Sequence, residues 1–285
     1  METMDQAVLI TAYKELSWLK YICEIWSKYF KVYVHYDKKS KDSNESLVLN
    51  EIRNVKVVSK HRVNWGSYKH IEAILDLMQL AKNDGCKYFH ILSGDTIPIV
   101  HPLCIRDFFH EHSDNIFMRF FYRKETKNYR YGAWFFEHVF NKRGGGIGRI
   151  YRFIENKVIL NLAKIPIRKG ISFPCYSYVY SHFNSEVADY ILKYSDEHPE
   201  FMRELKYCFV PEELFFCNII EQSPYRDSVI DNHYIYHIWT EERGYPANLN
   251  LNDFDDIVMS DRLFARKVSE KDRDLLFAIQ QKYLF

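Results

Sequence analysis

The chain has 285 residues, 47% hydrophobic and 27% charged, an ordinary globular composition with enough length for one large domain or two small ones. A net charge of +1 gives no overall field that would draw nucleic acid or a membrane. No apolar run approaches the ~18–20 residues of a membrane span. The opening METMDQAVLI is acidic where a secretion signal is basic, and the six cysteines are scattered without a C-x-x-C pair. Both features point to reduced thiols in a cytosol, neither a disulfide frame nor a zinc site.

Along the first 120 residues short apolar runs alternate with amphipathic stretches. The pattern predicts strands at 7–12, 31–35, 55–59, 88–92 and 116–121, and helices at 16–27 and 71–81. Such alternation argues an α/β half with a parallel sheet, which binds ligands beyond the carboxyl ends of its strands. The second half is less regular. It predicts a Gly-rich loop at 144–148, a strand at 176–180, a helix at 185–194, another at 211–221, a strand at 234–238 and a final helix from about 269. With no repeat and no linker, one domain over 1–285 is expected, with a nucleotide-binding half to about 120 and a substrate half beyond it.

The most informative stretch is Cys208-Phe209-Val210-Pro211-Glu212-Glu213-Leu214-Phe215-Phe216. Pro211 suits the first helical position, and two carboxylates fall in the first turn, where the helix dipole favours the ionised form. A fixed, ionised carboxylate is what a general base requires. Adjacent helical residues point about 100° apart, so one of the two faces a substrate at most. The alternative is that both merely complement the dipole. Elsewhere Asp37 closes the second strand and suits a ribose, a base or a plain turn. Ser67, in Asn64-Trp65-Gly66-Ser67, suits a helix cap or a ligand at a helix start. Leu92-Ser93-Gly94-Asp95 ends the fourth strand, and Arg243, Arg266 and Lys267 add cations near the C-terminus. The segment 142–169 carries eight basic residues against Glu155 alone, with Ile150, Tyr151, Phe153, Ile154 and Val158 interleaved. It suits an anionic membrane surface or an ordinary packed helix with a solvated face.

Taken together and in this order, these motifs resemble glycosyltransferase family 14, the core-2/I-branching β-1,6-N-acetylglucosaminyltransferases and peptide O-xylosyltransferases. The likeness rests on His-x-Asp-Lys-Lys-Ser after the second strand, Trp-Gly-Ser before a helix, Leu-Ser-Gly-Asp-x-x-Pro-Ile, Pro-Glu-Glu-x-x-Phe and Leu-Phe-Ala-Arg-Lys. It implies a GT-A-like α/β fold and an inverting transfer from a UDP-sugar to a carbohydrate hydroxyl. GlcNAc is the favoured sugar and xylose the second. By the resemblance Glu213 is the catalytic base. Ile10, Asp37 and Ser67 lie by the nucleoside, Lys267 and Arg243 hold the diphosphate, and Arg130 and Glu212 lie on the acceptor side.

The chain departs from the family in having Ala12 and Tyr13 where a histidine usually follows the first strand. Its only Asp-x-Asp pairs, Asp253/Asp255 and Asp272/Asp274, lie beyond the expected base, so no metal or other cofactor is expected. The implied setting is a bacterial cytoplasm, with surface polysaccharide built on a lipid carrier and peripheral contact at the inner face of the membrane. A catalytically idle carbohydrate- or nucleotide-binding protein is the alternative, although a binder needs no base. An NAD-dependent oxidoreductase requires G-x-G-x-x-G after the first strand, and Ala12-Tyr13-Lys14-Glu15 stands there instead.

Overall fold

The computed structural model describes residues 4–122, 129–165, 167–168 and 172–285. Lys169, the last basic residue of the 142–169 segment, lies outside them. The strands are β1 (Gln6–Ala12), β2 (Lys31–Tyr36), β3 (Val55–Val58), β4 (Tyr88–Ser93), β5 (Ile97–Pro98), β6 (Ile116–Met118), β7 (Phe121–Tyr122), β8 (Cys175–Tyr176), β9 (Ser181–Asn184), β10 (Val229–Asp231), β11 (Ile235–Tyr236) and β12 (Phe264–Ala265). The helices are α1 (Leu16–Trp26), α2 (Lys69–Asn83), α3 (Pro102–Glu111), α4 (Ile147–Ile154), α5 (Leu160–Ala163), α6 (Ser185–Glu197), α7 (Pro199–Lys206), α8 (Glu212–Glu221), α9 (Phe254–Met259) and α10 (Arg273–Tyr283).

Seven strands form one sheet in the order β10-β6-β9-β4-β1-β2-β3. Every pairing is parallel except those of β9, which runs against both β4 and β6. This is the expected α/β arrangement, a mostly parallel central sheet flanked by helices. Side chains alternate across the pleat. Val8 and Ile10 face a core made with α1 and α10, while Ala7 and Leu9 face a second core made with α2, α6 and α8. Each fully buried Leu, Ile or Phe contributes roughly 1.5–3 kcal/mol, so a sheet covered on both faces holds its strand ends at fixed spacing.

Several elements differ from the sequence reading. The run 116–121 divides, because β6 joins the main sheet while β7 pairs with β8 in a separate ribbon. No continuous strand covers 176–180. Ser177 instead donates its N–H to the carbonyl of Glu213, and the strand beside β4 begins at Ser181. Pro211 immediately precedes α8 instead of opening it. That helix has no polar face, since Leu214, Phe215, Phe216, Cys217, Ile219 and Ile220 are all buried. The last helix starts at Arg273, after a 3-10 turn at Glu270–Asp272. The 144–148 run is a turn that enters α4. A Cβ on Gly148 would lie 2.0 Å from the Asn141 carbonyl oxygen, so only glycine lets the helix start this close. All six cysteines are free thiols. No helix among the described residues is long and apolar enough to cross a membrane.

Buried histidines stitch the sheet. His90 sits between Gln6 and His182, which in turn meets the His233 carbonyl. Burial pushes His182 down to about 3, His233 to about 2 and His35 to about 4, and His90 well below its ordinary value. Between those values and the ordinary 6.5 the unfolded chain binds more protons, so stability rises with pH there and falls as pH drops. Glu137, raised by burial to about 8, acts in the opposite direction but is one group against four. The urea midpoint should therefore fall from pH 7.5 to pH 5.5, by up to about 1.4 kcal/mol per histidine per pH unit below its unfolded pKa. An unchanged or rising midpoint would contradict the neutral-histidine assignment.

Candidate active site

Three loops converge beyond the carboxyl ends of β1, β2 and β4. Asp37 donates its N–H to the Ala12 carbonyl, Gly94 donates to Thr11, and Val268 donates to Asp95. A cleft of about 450 Å³ lined by Tyr13, Lys14, Leu16, Ser40 and Asp42 opens alongside. Asp37 is buried. Its Oδ1 accepts from the N–H groups of Lys39 and Val63, and its Oδ2 lies 3.1 Å from the Lys39 ammonium. The carboxylate thus clamps two loops together at the strand end. Ile10 is wholly buried, paired to Val34 and Leu92, two residues short of the end of β1.

Ser67 does not cap α2, because Tyr68 occupies the cap position and makes no side-chain cap bond. The Ser67 hydroxyl is buried and has no hydrogen-bond partner among the described residues. Such a group costs free energy unless a ligand satisfies it. The turn before it is tight: Gly66 takes a φ of +72° and its α-carbon faces Val210, which a Cβ would meet at 3.4 Å. Val210 itself takes a φ of 51°, which a β-branched residue avoids at a cost of roughly 1–3 kcal/mol. That strain sits directly before Pro211, at the entry to α8.

The two carboxylates of α8 point apart, as their spacing requires. Glu213 Oε2 meets Arg130 Nη2 at 2.6 Å. The Arg130 guanidinium also lies 5.6 Å from the Tyr176 ring centre and 5.7 Å from that of Tyr129. Glu212 is buried, with Oε1 3.3 Å from His70 Nδ1, and His70 Nε2 lies 3.0 Å from the Thr11 hydroxyl. Glu212 is therefore tied back to the end of β1, while Glu213 faces the loop that carries Arg130.

Arg266 is largely shielded, its side chain 13% exposed, with Nη2 3.3 Å from Asp95 Oδ1 and its guanidinium 4.6 Å from the Tyr180 ring centre. Burial alone would raise the Asp95 carboxyl, but Arg266, Ser93 and Lys267 together hold it below the usual carboxylate range. Burial, followed by Arg266, pushes the neighbouring Lys267 ammonium below the usual lysine range. Arg143 and Lys14 add to that push, and Asp95 opposes it. Arg266 and Lys267 thus bear on the carboxylate that follows β4, while Arg143 and Lys14 bear on Lys267, a concentration of positive charge that suits a phosphate-like anion. The sequence reading named Lys267 and missed Lys14 and Arg143. Lys14 has no motif around it, and Arg143 was hidden in what read as a flexible loop. Arg143 packs its guanidinium 4.6 Å from the Trp65 ring centre, which brings it to the Trp-Gly-Ser turn.

Arg243 is placed differently. Both its terminal nitrogens bind Asp253, at 2.6 and 2.7 Å, and one also donates to the Asn248 carbonyl. It braces the loop whose Leu249 N–H bonds the Lys267 carbonyl. Tyr178 and Trp239 are further residues the sequence did not reveal. They stack at 5.8 Å and 26°, and Trp239 is exposed. Burial and the nearby Glu213 both raise the Tyr178 hydroxyl, so this aromatic pair adjoins the candidate base. Tyr180 joins the two halves of the site. Its hydroxyl is pushed up to about 12 by burial, and it lies in the fields of Arg266, Asp95 and Glu213 alike.

A mostly parallel sheet with a cationic seat and a helix-start carboxylate at its strand ends defines the class of a group-transfer enzyme of the nucleotide-sugar type. Residues 8–260 match the family described as Core-2/I-Branching enzyme, and the chain belongs to that glycosyltransferase family. No curated protein matches the chain. Among solved structures it is similar to a glycosyltransferase involved in the glycosylation of the major capsid of PBCV-1, with 9% identity and a TM-score of 0.38 over 96% of this chain and 99% of that one. It is also similar to mannose-1-phosphate geranyltransferase from Thermus thermophilus, with 13% identity and a TM-score of 0.35 over 74% and 67%. At such scores the overlap is too loose to add to the assignment.

The cationic seat should bind inorganic pyrophosphate. Lys267→Ala should weaken that binding at least about tenfold, in keeping with the ~1.5–3 kcal/mol of a charged hydrogen bond. Affinity of wild type relative to Lys267→Arg should fall as pH rises through the lowered Lys267 value, because the ammonium loses its proton there and a guanidinium does not, while the ionisation of pyrophosphate is common to both. Isothermal titration from pH 7 to 10 checks both. Undiminished affinity in Lys267→Ala would place the anion elsewhere.

Proposed function

We propose that the protein is an inverting, metal-independent transferase that moves a sugar, GlcNAc in preference to xylose, from a UDP-sugar to a hydroxyl of a carbohydrate acceptor. The observation that carries this reading is Tyr180, a half-buried residue whose ring centre lies 4.6 Å from the Arg266 guanidinium and whose hydroxyl lies in the fields of both Arg266 and Glu213. A base and a cationic leaving-group seat that both bear on one residue suit a displacement between them. Glu213 takes the proton of the acceptor hydroxyl. The acceptor oxygen attacks the anomeric carbon from the face opposite the diphosphate, and the bond from that carbon to the phosphate oxygen breaks. UDP leaves with its charge stabilised by Lys267, Arg143 and Lys14. Holding both partners in line supplies further acceleration.

The rest of the site fits this scheme. The unpartnered Ser67 hydroxyl and the strand-end Asp37 suit the nucleoside, beside the backbone of Ile10. The N-terminal half, to about residue 120, then serves the donor, and the remainder serves the acceptor and the base. The exposed Trp239 ring, stacked on Tyr178 beside Glu213, suits the apolar face of a sugar. Arg130 fixes the Glu213 carboxylate on the acceptor side, while Glu212 positions the end of β1 through His70. Arg243 supports Lys267 through its loop and does not itself hold phosphate. Fixed cations take the part a divalent metal plays elsewhere, and the late Asp253 commits both oxygens to Arg243. The setting that fits is a bacterial cytoplasm at the inner face of the membrane, with a lipid-linked saccharide acceptor in surface-polysaccharide synthesis.

Glu213→Gln should cut turnover by about 10²–10⁴-fold, the usual worth of a general base, and leave UDP binding within about twofold. Glu212→Gln should cost much less turnover. A Glu213→Gln enzyme that keeps more than about a tenth of wild-type activity would sink the assignment. UDP release that never exceeds the acceptor-free rate, over a panel of UDP-sugars and saccharides, would favour the idle binder instead.

Turnover should also be the same in excess EDTA as without it. Loss on chelation, restored by Mn²⁺ or Mg²⁺, would replace the cationic seat with a metal site.

A further inference from the structure

From α4 through a single wide turn at Glu155–Ile159 into α5 the chain forms one helical rod, about 25 Å long at 1.5 Å per residue. The rod has two apolar stripes. One is buried: Tyr151, Ile159 and Ala163 pack on Ala133 and Phe135, and the Tyr151 hydroxyl accepts the Phe136 N–H at 2.7 Å. The other, Ile147, Ile150, Ile154, Val158, Leu162 and Ile165, recurs every three or four residues on the outside, and each member is at least 41% exposed. Arg149, Arg152, Lys157 and Lys164 lie exposed among them. The one acid of the rod, Glu155, is buried against Lys142.

A solvated surface helix does not carry this much apolar area on its outer face. We infer that this outer stripe is a lipid-docking surface that lies in the headgroup region of an anionic bilayer, with the four basic residues at phosphate level. Charge selects the occupant. Two copies meeting face to face across this stripe would set four cations against four, whereas anionic lipid satisfies both the charge and the apolar stripe. The rod is too short and too charged to cross the bilayer, so it lies in the plane.

The docking surface is rigidly joined to the active site. Lys142, just before the rod, is buried between Glu137 and Glu155, 3.0 Å from the former, and its ammonium lies 4.9 Å from the Trp65 ring centre. Asn64 donates to the Glu137 carbonyl at 2.7 Å. A protein seated through this stripe therefore holds the Trp65–Ser67 turn and Arg143 at a fixed height above the lipid. That placement as an acceptor-capture device rests on the transferase reading above; the lipid contact does not.

The test is co-sedimentation of the full chain with phosphatidylcholine vesicles, with and without phosphatidylglycerol, at low salt and at about 1 M salt, where the Debye length is about 3 Å. Binding should require phosphatidylglycerol and weaken with salt. Changing Arg149, Arg152, Lys157 and Lys164 to Ser should lower the bound-to-free ratio by roughly one to two orders of magnitude at low salt. Changing Ile150, Phe153 and Val158 to Ser should lower it at both salts. All these side chains are exposed, so the unfolding temperature and pyrophosphate affinity of both variants should match wild type, which shows that any loss is local. Absence of vesicle binding by wild type, or binding by both variants that equals wild type, overturns the inference. So does a solution dimer that Phe153→Ser separates, which would give the stripe to a second copy. Vesicle binding by a chain with no transferase activity would still support the surface and would overturn only the transferase reading.

Discussion

The site hangs on the pair of Asp95 and Arg266, which joins the loop after β4 to the segment after β12, 171 residues later. Two charges drawn largely out of water are tolerated when they meet, and these side chains are only 22% and 13% exposed. Asp95 therefore fixes Arg266, which fixes the backbone of Lys267 next to it. The Val268 N–H on the Asp95 carbonyl and the Leu249 N–H on the Lys267 carbonyl complete the frame. Arg266 gives one N–H to Asp95, its Nε–H has no partner among the described residues, and its charge still bears on Lys267.

A second constraint fixes the opposite wall. Val210 holds a backbone conformation unfavourable to it, and it does so against Gly66, the residue before Ser67. The turn that presents Ser67 and the turn that launches α8 are thus one packed unit. Glu212 adds a third tie through His70 to Thr11. Glu213, one residue on, is left on the other side of the helix start, facing Arg130. The two acids in series thus meet different partners, His70 and Arg130, and their separation of about 100° allows both.

Much of this was legible in the sequence, for identifiable reasons. β1, β2 and β4 are mostly apolar runs because both faces of the central sheet are covered, and such runs stand out, while the edge strand β3 alternates with the exposed Lys56. The motifs at Asp37, Ser67, Asp95, Glu213 and Lys267 are local, so each could be read where it lies. What stayed hidden depends on distance. β9 runs antiparallel within a parallel sheet because it returns from the substrate half, and no local pattern announces that. The family resemblance assigns Arg243 to the diphosphate, and the bonds of Arg243 to Asp253, ten residues on, appear only in three dimensions. Tyr178 and Trp239 lie 61 residues apart and meet only in the fold.

The 142–165 segment was legible as an amphipathic helix, but its clamping was not. Its composition leaves a membrane surface and a packed helix open, and one glycine with no room for a Cβ and one lysine between two acids make it a clamped rod. Burying Lys142 with two carboxylates leaves the cluster short of a positive charge, and Glu137 is pushed up to about 8, by burial first and then by Glu155, against the pull of Lys142. A protonated Glu137 makes the cluster neutral, which lowers the cost of keeping it beneath Trp65. A simple loop would not require so costly an anchor. An anchor of this kind makes sense where a short segment must hold Arg143 against the active-site tryptophan at one end and present a rigid outward face along the rest of its length.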